Sequence, residues 1–238
     1  MSMRLPLHPP AQYERLKPDD DCMREECGVF GIYCNGSGQD AAEAAYYGLF
    51  ALQHRGQESA GIAISRKSKI ECHKAMGLVS GRFCDGLAAL KGSSLAIGHV
   101  RYSTMGESLL VNAQPLVVES PLGPLALAHN GNIINAKELR EELEAEGVTF
   151  QTTIDSEIIA ALIAKNSGKG LFESISQAME RLKGSYALVL MTKDSLIGVR
   201  DPKGMRPLAL GSLNGAYVLA SESCAFDTIG AEFIRDVR

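Results

Sequence analysis

Cys27 has the most distinctive placement for chemistry in this sequence. It follows a leader, residues 1–26, that carries four prolines and an acidic cluster and has no apolar periodicity, a composition typical of disorder. It precedes the apolar run Gly28–Tyr33, which predicts a buried strand. Removal of the leader would expose an α-amine beside the thiol, and an amine that titrates near pH ~8 can accept the proton of the thiol. The placement predicts a nucleophile activated by its own N-terminal amine, although a cysteine is often only a small buried hydrophobe.

Three further polar positions come at the ends of apolar runs or at a helix start. Arg101 ends a predicted strand and suits bidentate capture of a carboxylate, with a surface ion pair as the alternative. Asn130 and Gly131 follow another apolar run and offer an amide and an unhindered backbone N–H, the donors of an oxyanion hole, although Asn-Gly is more often a turn. Asp155 begins a helical pattern, where it either caps the helix or holds a substrate ammonium group.

Composition narrows the class of protein. The formal net charge is −4, with 24 Lys and Arg against 28 Asp and Glu, and no basic block favours a nucleic-acid partner. No apolar run reaches the length of a membrane span, and no secretory signal is recognisable. The six cysteines form no CxxC pair and the five histidines are sparse, so the spacing predicts no metal site in this chain. His54 and His99 are expected to be structural. A reducing cytoplasm is the expected location.

The periodicity predicts an α+β fold with two antiparallel sheets packed face to face and helices on the outer faces. Hairpin turns are expected at 65–69, at Asp194 and at Asn214-Gly215. Asn135, followed by Glu138, has the spacing of a capping box. The predicted helices are 40–53, 135–146, 155–165 and 170–182. The predicted strands are 28–33, 61–65, 70–77, 95–102 and 125–129, followed by a second group at 186–192, 195–200, 208–212 and 216–221.

These fragments, taken together and in order, resemble one family. The chain from Cys27 onward is similar to the N-terminal glutaminase domain of amidophosphoribosyltransferases, which are class II, N-terminal-nucleophile glutamine amidotransferases. The motifs that carry the resemblance are CGVFGIY at 27–33, LQHRGQESAGIA at 52–63, GHVRYST at 98–104, AHNGNI at 128–133, DSE at 155–157, KGSYALVLM at 183–191, RDPKGMRPLALG at 200–211 and LASESCAFD at 219–227.

The resemblance implies a four-layer αββα N-terminal-nucleophile hydrolase sandwich over residues 27–238, preceded by a propeptide, residues 1–26, that is removed on maturation. It implies that Cys27 attacks the carboxamide of glutamine, and that Asn130 and Gly131 stabilise the oxyanion. Arg101 is then expected to bind the glutamine α-carboxylate and Asp155 its α-ammonium. Arg55, in the His-Arg-Gly-Gln stretch, matches an arginine near the glutamine pocket and is expected to bind the substrate. Cys22 is a second, less favoured, cysteine start.

The resemblance also implies a second domain, a second substrate and cofactors that belong to another part of the family's proteins. The family's phosphoribosyltransferase domain, which uses phosphoribosyl pyrophosphate, is expected to be absent from this sequence. Magnesium, and an iron–sulfur cluster where the family has one, would bind in that part, so no cofactor is expected in this chain. A homo-oligomer is expected for the full-length form.

Other readings remain open at the level of sequence. They are the glutaminase domain of a glucosamine-6-phosphate synthase or an asparagine synthetase, a peptidase-like N-terminal-nucleophile hydrolase, and a non-catalytic binding domain.

Overall fold

The computed structural model describes residues 27–81, 83–102 and 108–238. The predicted propeptide, Cys22, and Ser103 and Thr104 of the GHVRYST motif lie outside these residues. None of the helices in the described ranges has the length and low charge needed to cross a bilayer.

The strands are β1 Gly28–Tyr33, β2 Ser59–Arg66, β3 Lys69–Met76, β4 Leu95–Arg101, β5 Leu116–Ser120, β6 Gly123–Ile133, β7 Gly184–Met191, β8 Leu196–Arg200, β9 Ala209–Leu213, β10 Ala216–Ala220 and β11 Glu232–Asp236. The helices are α1 Ala41–Ala51, α2 Phe83–Leu90, α3 Ala136–Ala145, α4 Asp155–Lys165, α5 Leu171–Arg181 and α6 Cys224–Ile229.

The strands form two antiparallel sheets. The larger has seven strands in the order β11-β9-β10-β1-β4-β2-β3, and the smaller has four in the order β5-β6-β7-β8. The chain therefore does not divide into an early sheet and a late one. β9 and β10 return to pair beside β1, while β6 pairs with β7.

Successive residues of the central strands serve two different cores, because side chains alternate across a sheet. Val29 packs between the sheets against residues such as Val189, whereas Phe30 points to the outer face and packs with Leu49 of α1. The outer face of the smaller sheet packs against α3, α4 and α5 through residues such as Ile159. Burial on both faces explains the nearly continuous apolar runs, and it confirms the predicted αββα order of layers.

Local turn chemistry agrees with the predicted hairpins. Lys67 and Ser68 join β2 to β3 with φ of 49° and 64°, and Asn214 and Gly215 join β9 to β10 with φ of 49° and 89°. Positive φ at both central residues gives the turn a twist that matches paired strands. Residues 192–195 likewise join β7 to β8.

The predicted capping box at Asn135 is wrong. The Asn135 side chain makes no cap hydrogen bond. It donates instead to the Arg181 carbonyl at 3.0 Å and accepts from the Lys183 N–H at 2.9 Å. The amide therefore joins the start of α3 to the end of α5, a contact between distant positions that local spacing does not reveal.

Candidate active site

Cys27 lies immediately before β1 and is nearly buried. Its Sγ atom is 3.4 Å from both the carbonyl oxygen and the amide nitrogen of Tyr102, the residue after β4. Pairing of β1 with β4, with Gly28 opposite Val100, brings these chain segments together. The carbonyl oxygen of Cys27 accepts a hydrogen bond from Arg55 Nε at 3.0 Å. The proposed nucleophile is therefore held on both its side chain and its backbone.

Arg55 belongs to a short 3₁₀ turn after α1 and is buried. Its Nη1 atom pairs with Oε1 of Glu222, a residue just beyond β10. Burial would raise the pKa of the Glu222 carboxyl, but hydrogen bonds and charge from Arg55 and His54 outweigh that effect and lower it. Glu222 is thus an ionised partner that fixes the arginine against the backbone of Cys27.

Arg101, at the end of β4, is only 3% exposed. Its Nη1 atom pairs with the carboxylate of Glu58, and the Glu58 N–H donates to the Arg101 carbonyl at 3.0 Å. Arg101 is therefore ion-paired, but not at the surface as the alternative had it, because its own side chain is buried and that of Glu58 is only 15% exposed. Sequence reasoning did not single out Glu58, although an acidic residue in the dense polar stretch after Arg55 was the available signal.

Asn130 and Gly131 lie within β6, opposite Ala187 and Tyr186 of β7, and not in a turn. Asn130 is fully buried, and neither its Oδ1 nor its Nδ2 has a hydrogen-bond partner among the described residues. A Cβ at position 131 would lie 2.1 Å from the Ser185 carbonyl oxygen. Glycine is therefore required where β7 approaches, and Asn130 presents a buried amide without a partner.

Asp155 is the first residue of α4, but its side chain is not that helix's cap; the capping position is Ile154, which makes no side-chain cap bond. Asp155 Oδ2 accepts from the Ile133 N–H at 3.0 Å, and Oδ1 is 3.5 Å from His129 Nδ1. Burial alone would raise the pKa of this carboxyl. His129 and the N–H groups of Ile133 and Ser156 outweigh it, so the pKa lies below its usual value. The carboxylate stays ionised at neutral pH.

Two buried histidines connect the sheets. His99 Nε2 on β4 lies 3.0 Å from the carbonyl oxygen of His129 on β6. His129 Nδ1 lies 3.0 Å from Ser156 Oγ, and the His129 N–H donates to Gln114 Oε1 at 2.8 Å. Burial lowers the pKa of His99 to about 3, so its ring is neutral at physiological pH. The strand that ends in Arg101 is thereby joined to the strand that carries Asn130.

The contacts place the predicted residues in one region, although not all touch each other. Cys27 meets Arg55 and the residue after Arg101 directly. Asn130 and Asp155 connect to them through the histidine contacts between β4 and β6.

Two of the cavities formed by the described residues do not have Cys27 in their lining. One of about 790 Å³ is lined by β5, residues 148–152 and α4. The other, of about 570 Å³, includes Asn132 and also Ser185, whose carbonyl faces Gly131.

One group of three potential metal ligands occurs among the described residues. Donor atoms of His54, Glu222 and Cys224 lie within 4.8 Å of one another. The group contains a single cysteine, so it does not match the four thiolates of an iron–sulfur cluster. Sequence spacing did not reveal it, because position 54 is far from 222 and 224 in the chain.

Comparison with known proteins connects this arrangement to one family. The sequence profile described as "Glutamine amidotransferase domain" matches residues 99–228, more than half of the chain. The amidophosphoribosyltransferase of Synechococcus elongatus is 49% identical over 223 residues, covering 91% of this chain and 45% of that protein. The Bacillus subtilis amidophosphoribosyltransferase is 46% identical over 217 residues, covering 90% and 45%.

Solved structures agree with the fold. The glutamine phosphoribosylpyrophosphate amidotransferase from B. subtilis, complexed with ADP and GMP, superposes with a TM-score of 0.82 at 45% identity, covering 89% of this chain and 45% of that one. A glutamine aminotransferase class-II domain protein from Silicibacter pomeroyi has a TM-score of 0.51 at 12% identity, covering 81% and 87%, which supports the fold alone. The chain spans about 45% of the length of these amidophosphoribosyltransferases.

The matched profile includes Arg101, Asn130, Gly131 and Asp155, and the fold is the predicted sandwich of N-terminal-nucleophile amidotransferases. The chain therefore belongs to the glutamine amidotransferase domain family.

Proposed function

We propose that this chain is the glutaminase part of an amidophosphoribosyltransferase, and that it hydrolyses glutamine to glutamate and ammonia. The observation that carries the proposal is the position of Cys27. Its Sγ atom lies against Tyr102, one residue from the buried Arg101, on a strand joined through His99 to the strand of Asn130. These contacts support a site in which a thiol and a cation on the larger sheet lie close to an amide donor on the smaller one.

Each predicted residue has a role in this proposal. Arg101 binds the α-carboxylate of glutamine, and Glu58 keeps its guanidinium in place. Asp155 binds the α-ammonium, which suits a carboxyl whose pKa is lowered. The Asn130 amide and the Gly131 N–H hold the oxyanion. Donors that are already positioned need no reorganisation when charge develops in the transition state.

The reaction begins after residues 1–26 are removed, which is itself part of the proposal. The α-amine of Cys27 takes the thiol proton, and Sγ attacks the side-chain carbonyl carbon of glutamine. The tetrahedral intermediate collapses as the amine returns a proton to the leaving nitrogen, which departs as ammonia. Water then attacks the thioester carbon, the amine takes its proton, and glutamate leaves with regeneration of the thiol.

Arg55 was predicted to bind the substrate, but it contacts the Cys27 backbone, and the scheme gives it a role there. Its Nε donor holds the Cys27 carbonyl at 3.0 Å, so the Cα–Cβ bond that carries the sulfur keeps its direction. Glu222 in turn fixes the guanidinium. Arg55 is therefore proposed as a positioning residue for the nucleophile.

The activity of the whole protein extends the proposal beyond this chain. Ammonia would react with phosphoribosyl pyrophosphate to form 5-phosphoribosylamine, the first step of de novo purine synthesis, in a second part of the protein. The proposal places magnesium, and any iron–sulfur cluster, in that part, and assigns the protein to the cytoplasm as a homo-oligomer without a nucleic-acid or membrane partner. A glucosamine-6-phosphate synthase or asparagine synthetase type is not favoured, because relatives at 42–51% identity are named amidophosphoribosyltransferases.

The test combines intact mass with covalent labelling. We expect the mature protein to lack residues 1–26, and a glutamine-like diazoketone to add once, on Cys27. The Cys27→Ala variant should lose both the label and glutamate release, by roughly 10³-fold or more. Cys72→Ser, which changes an exposed cysteine on β3, is the matched control and should keep both. A full-length chain with full glutaminase activity would contradict the mechanism.

A further inference from the structure

A group of three potential metal-ligand atoms lies near the protein surface and is linked to Cys27 through Arg55. His54 stands in the turn after α1, Glu222 follows β10, and Cys224 begins α6. The His54 Nε2 atom is 3.1 Å from Glu222 Oε2, and the Cys224 Sγ atom is 3.7 Å from the same oxygen. A nitrogen, an oxygen and a sulfur ligand thus converge on one point.

These separations are close to those of a tetrahedral metal site. Bonds of about 2.0–2.1 Å to nitrogen and oxygen and about 2.3 Å to sulfur imply ligand separations of about 3.3 Å for N to O and about 3.6 Å for S to O. Two of the three separations therefore nearly match, and the third, between the His54 nitrogen and Cys224 Sγ, is at most 4.8 Å. Little side-chain movement is needed to bind a metal ion.

Neighbouring groups orient the ligands in the way expected at metal sites. His54 Nδ1 lies 3.1 Å from the Ala51 carbonyl oxygen. A hydrogen bond from Nδ1–H to that carbonyl leaves Nε2 for the metal, which would displace the Nε2 proton that otherwise bonds Glu222 Oε2. The other oxygen of Glu222, Oε1, is held by Arg55. Each of these two ligands is thus fixed through the atom that the metal does not use.

The group is also accessible to an ion. The side chain of His54 is 46% exposed and that of Glu222 is 32% exposed, so solvent can supply a fourth ligand. A mixed set of imidazole, carboxylate and thiolate suits Zn²⁺, which is borderline in softness and readily four-coordinate.

We propose that His54, Glu222 and Cys224 form a Zn²⁺ site that lowers glutamine hydrolysis when it is occupied. The route to Cys27 passes through one shared carboxylate. A metal on Oε2 draws negative charge away from Oε1, which weakens the attraction to Arg55, and Arg55 holds the carbonyl of Cys27. The binding site stands by itself, whereas its effect on hydrolysis rests on the proposed function.

Binding is tested with Co²⁺, which replaces Zn²⁺ and absorbs visibly when it is tetrahedral and bound to thiolate. The protein is first treated with a chelator, and Cys27→Ser is used as the background because an N-terminal cysteine can itself bind metals. We expect one equivalent of Co²⁺ with a thiolate charge-transfer band. Cys224→Ser should abolish that band, and His54→Ala should weaken binding by roughly tenfold or more.

Cys72→Ser in the same background is the matched control, since Cys72 is an exposed cysteine remote in sequence from the group. It should bind Co²⁺ as the background does. An unchanged charge-transfer band in Cys224→Ser, or its loss in Cys72→Ser, would overturn the site and leave the three residues as an ordinary surface hydrogen-bonded group.

Coupling is tested by adding Zn²⁺ to protein with native Cys27 while glutamate release is measured. We expect the rate to fall, and Cys224→Ser to require at least roughly tenfold more Zn²⁺ for the same fall, whereas Cys72→Ser should match the parent. Equal inhibition of the parent and Cys224→Ser would overturn the coupling. Absence of glutaminase activity in the mature metal-free parent would instead count against the proposed function, and the Co²⁺ titration would still decide the site.

Discussion

Both arginines on the larger sheet's side of the site face a carboxylate, Arg55 with Glu222 and Arg101 with Glu58. On the smaller sheet, by contrast, the Asn130 amide is fully buried and has no partner among the described residues. The two arginines are thus paired with carboxylates in the absence of substrate, whereas the Asn130 amide has no hydrogen-bond partner among the described residues. A buried polar group without a partner costs about 1–3 kcal/mol, so the unpaired amide indicates a place where binding, not folding, completes the hydrogen bonds.

The largest effect on catalysis is expected from removing that unpaired donor. Asn130→Ala should lower kcat for glutamine hydrolysis by about 10²–10³-fold, with KM close to the parent value, because the donor acts in the transition state. The free energy of unfolding should not fall, since no hydrogen bond within the described protein is lost. Steady-state kinetics and urea unfolding measure both quantities.

Asn135→Ala is the matched control for this prediction. Its amide is hydrogen-bonded to Arg181 and Lys183, so its removal should destabilise the fold by about 1–3 kcal/mol while kcat is retained. If Asn130→Ala destabilised the protein as Asn135→Ala does and left kcat unchanged, the contrast between the two sides would be lost.

The next largest effect is expected from breaking the ion pair between Arg101 and Glu58 on the larger sheet. Arg101→Gln should raise the KM for glutamine by roughly 10–100-fold, because it removes a charged hydrogen-bond donor worth about 1.5–3 kcal/mol. It should also destabilise the protein by about 1–3 kcal/mol, since the partly buried Glu58 carboxylate loses its charged partner. The double variant with Glu58→Gln should regain most of that stability but not the KM. Recovery of both would mean that Arg101 does not meet the substrate.

A smaller effect, on the pH dependence of stability, is expected from His99, which connects the two sheets through the His129 carbonyl. The pKa of His99 is lowered to about 3, so between pH 6.5 and 3 only the unfolded state binds the proton. Stability should therefore fall as the pH drops through this window, by about 1.6 kcal/mol between pH 6.5 and 5. His99→Gln should lose this part of the pH dependence. Urea unfolding at the two pH values checks it, and identical slopes in parent and variant would contradict it.

The smallest effect is a structural one beside the nucleophile. Ser221 Oγ accepts a hydrogen bond from the Val29 N–H at 2.9 Å, and Ser221 is buried. Ser221→Ala should lower the free energy of unfolding by about 0.5–1.5 kcal/mol and leave kcat and KM near their parent values. A large change in kcat would show that the backbone of β1 needs this bond to hold Cys27, and not only the contacts to Arg55 and Tyr102.

Much of the fold was predictable because the central elements are apolar and regular. β1 and α4 begin and end at the predicted residues. Most of the other predicted strands begin and end within one or two residues of the predicted positions. β5 and β11 were not predicted. β11 is exposed throughout, and β5 is a short edge strand with two exposed positions, so neither shows the pattern of a buried strand. α2 and α6 were also missed, and both are short.

The sequence by itself determined the identities and order of Cys27, Arg101, Asn130, Gly131 and Asp155, because each stands at the start or end of an apolar run or at the start of a helix. Arg55 came only from its resemblance to a family motif. For Asn130 and Asp155 the local patterns of a turn and a cap pointed the wrong way, since tertiary contacts override such preferences.

Only the tertiary structure decided which groups these residues meet. Glu58 faces Arg101, Glu222 faces Arg55, and the donors of His54, Glu222 and Cys224 converge, although 168 residues separate His54 from Glu222. Such partners carry no signal in local spacing, because strand order and register bring them together. Cys27 is therefore recognisable from sequence, whereas the ion pairs that hold its surroundings follow from how β1, β4 and β10 pair.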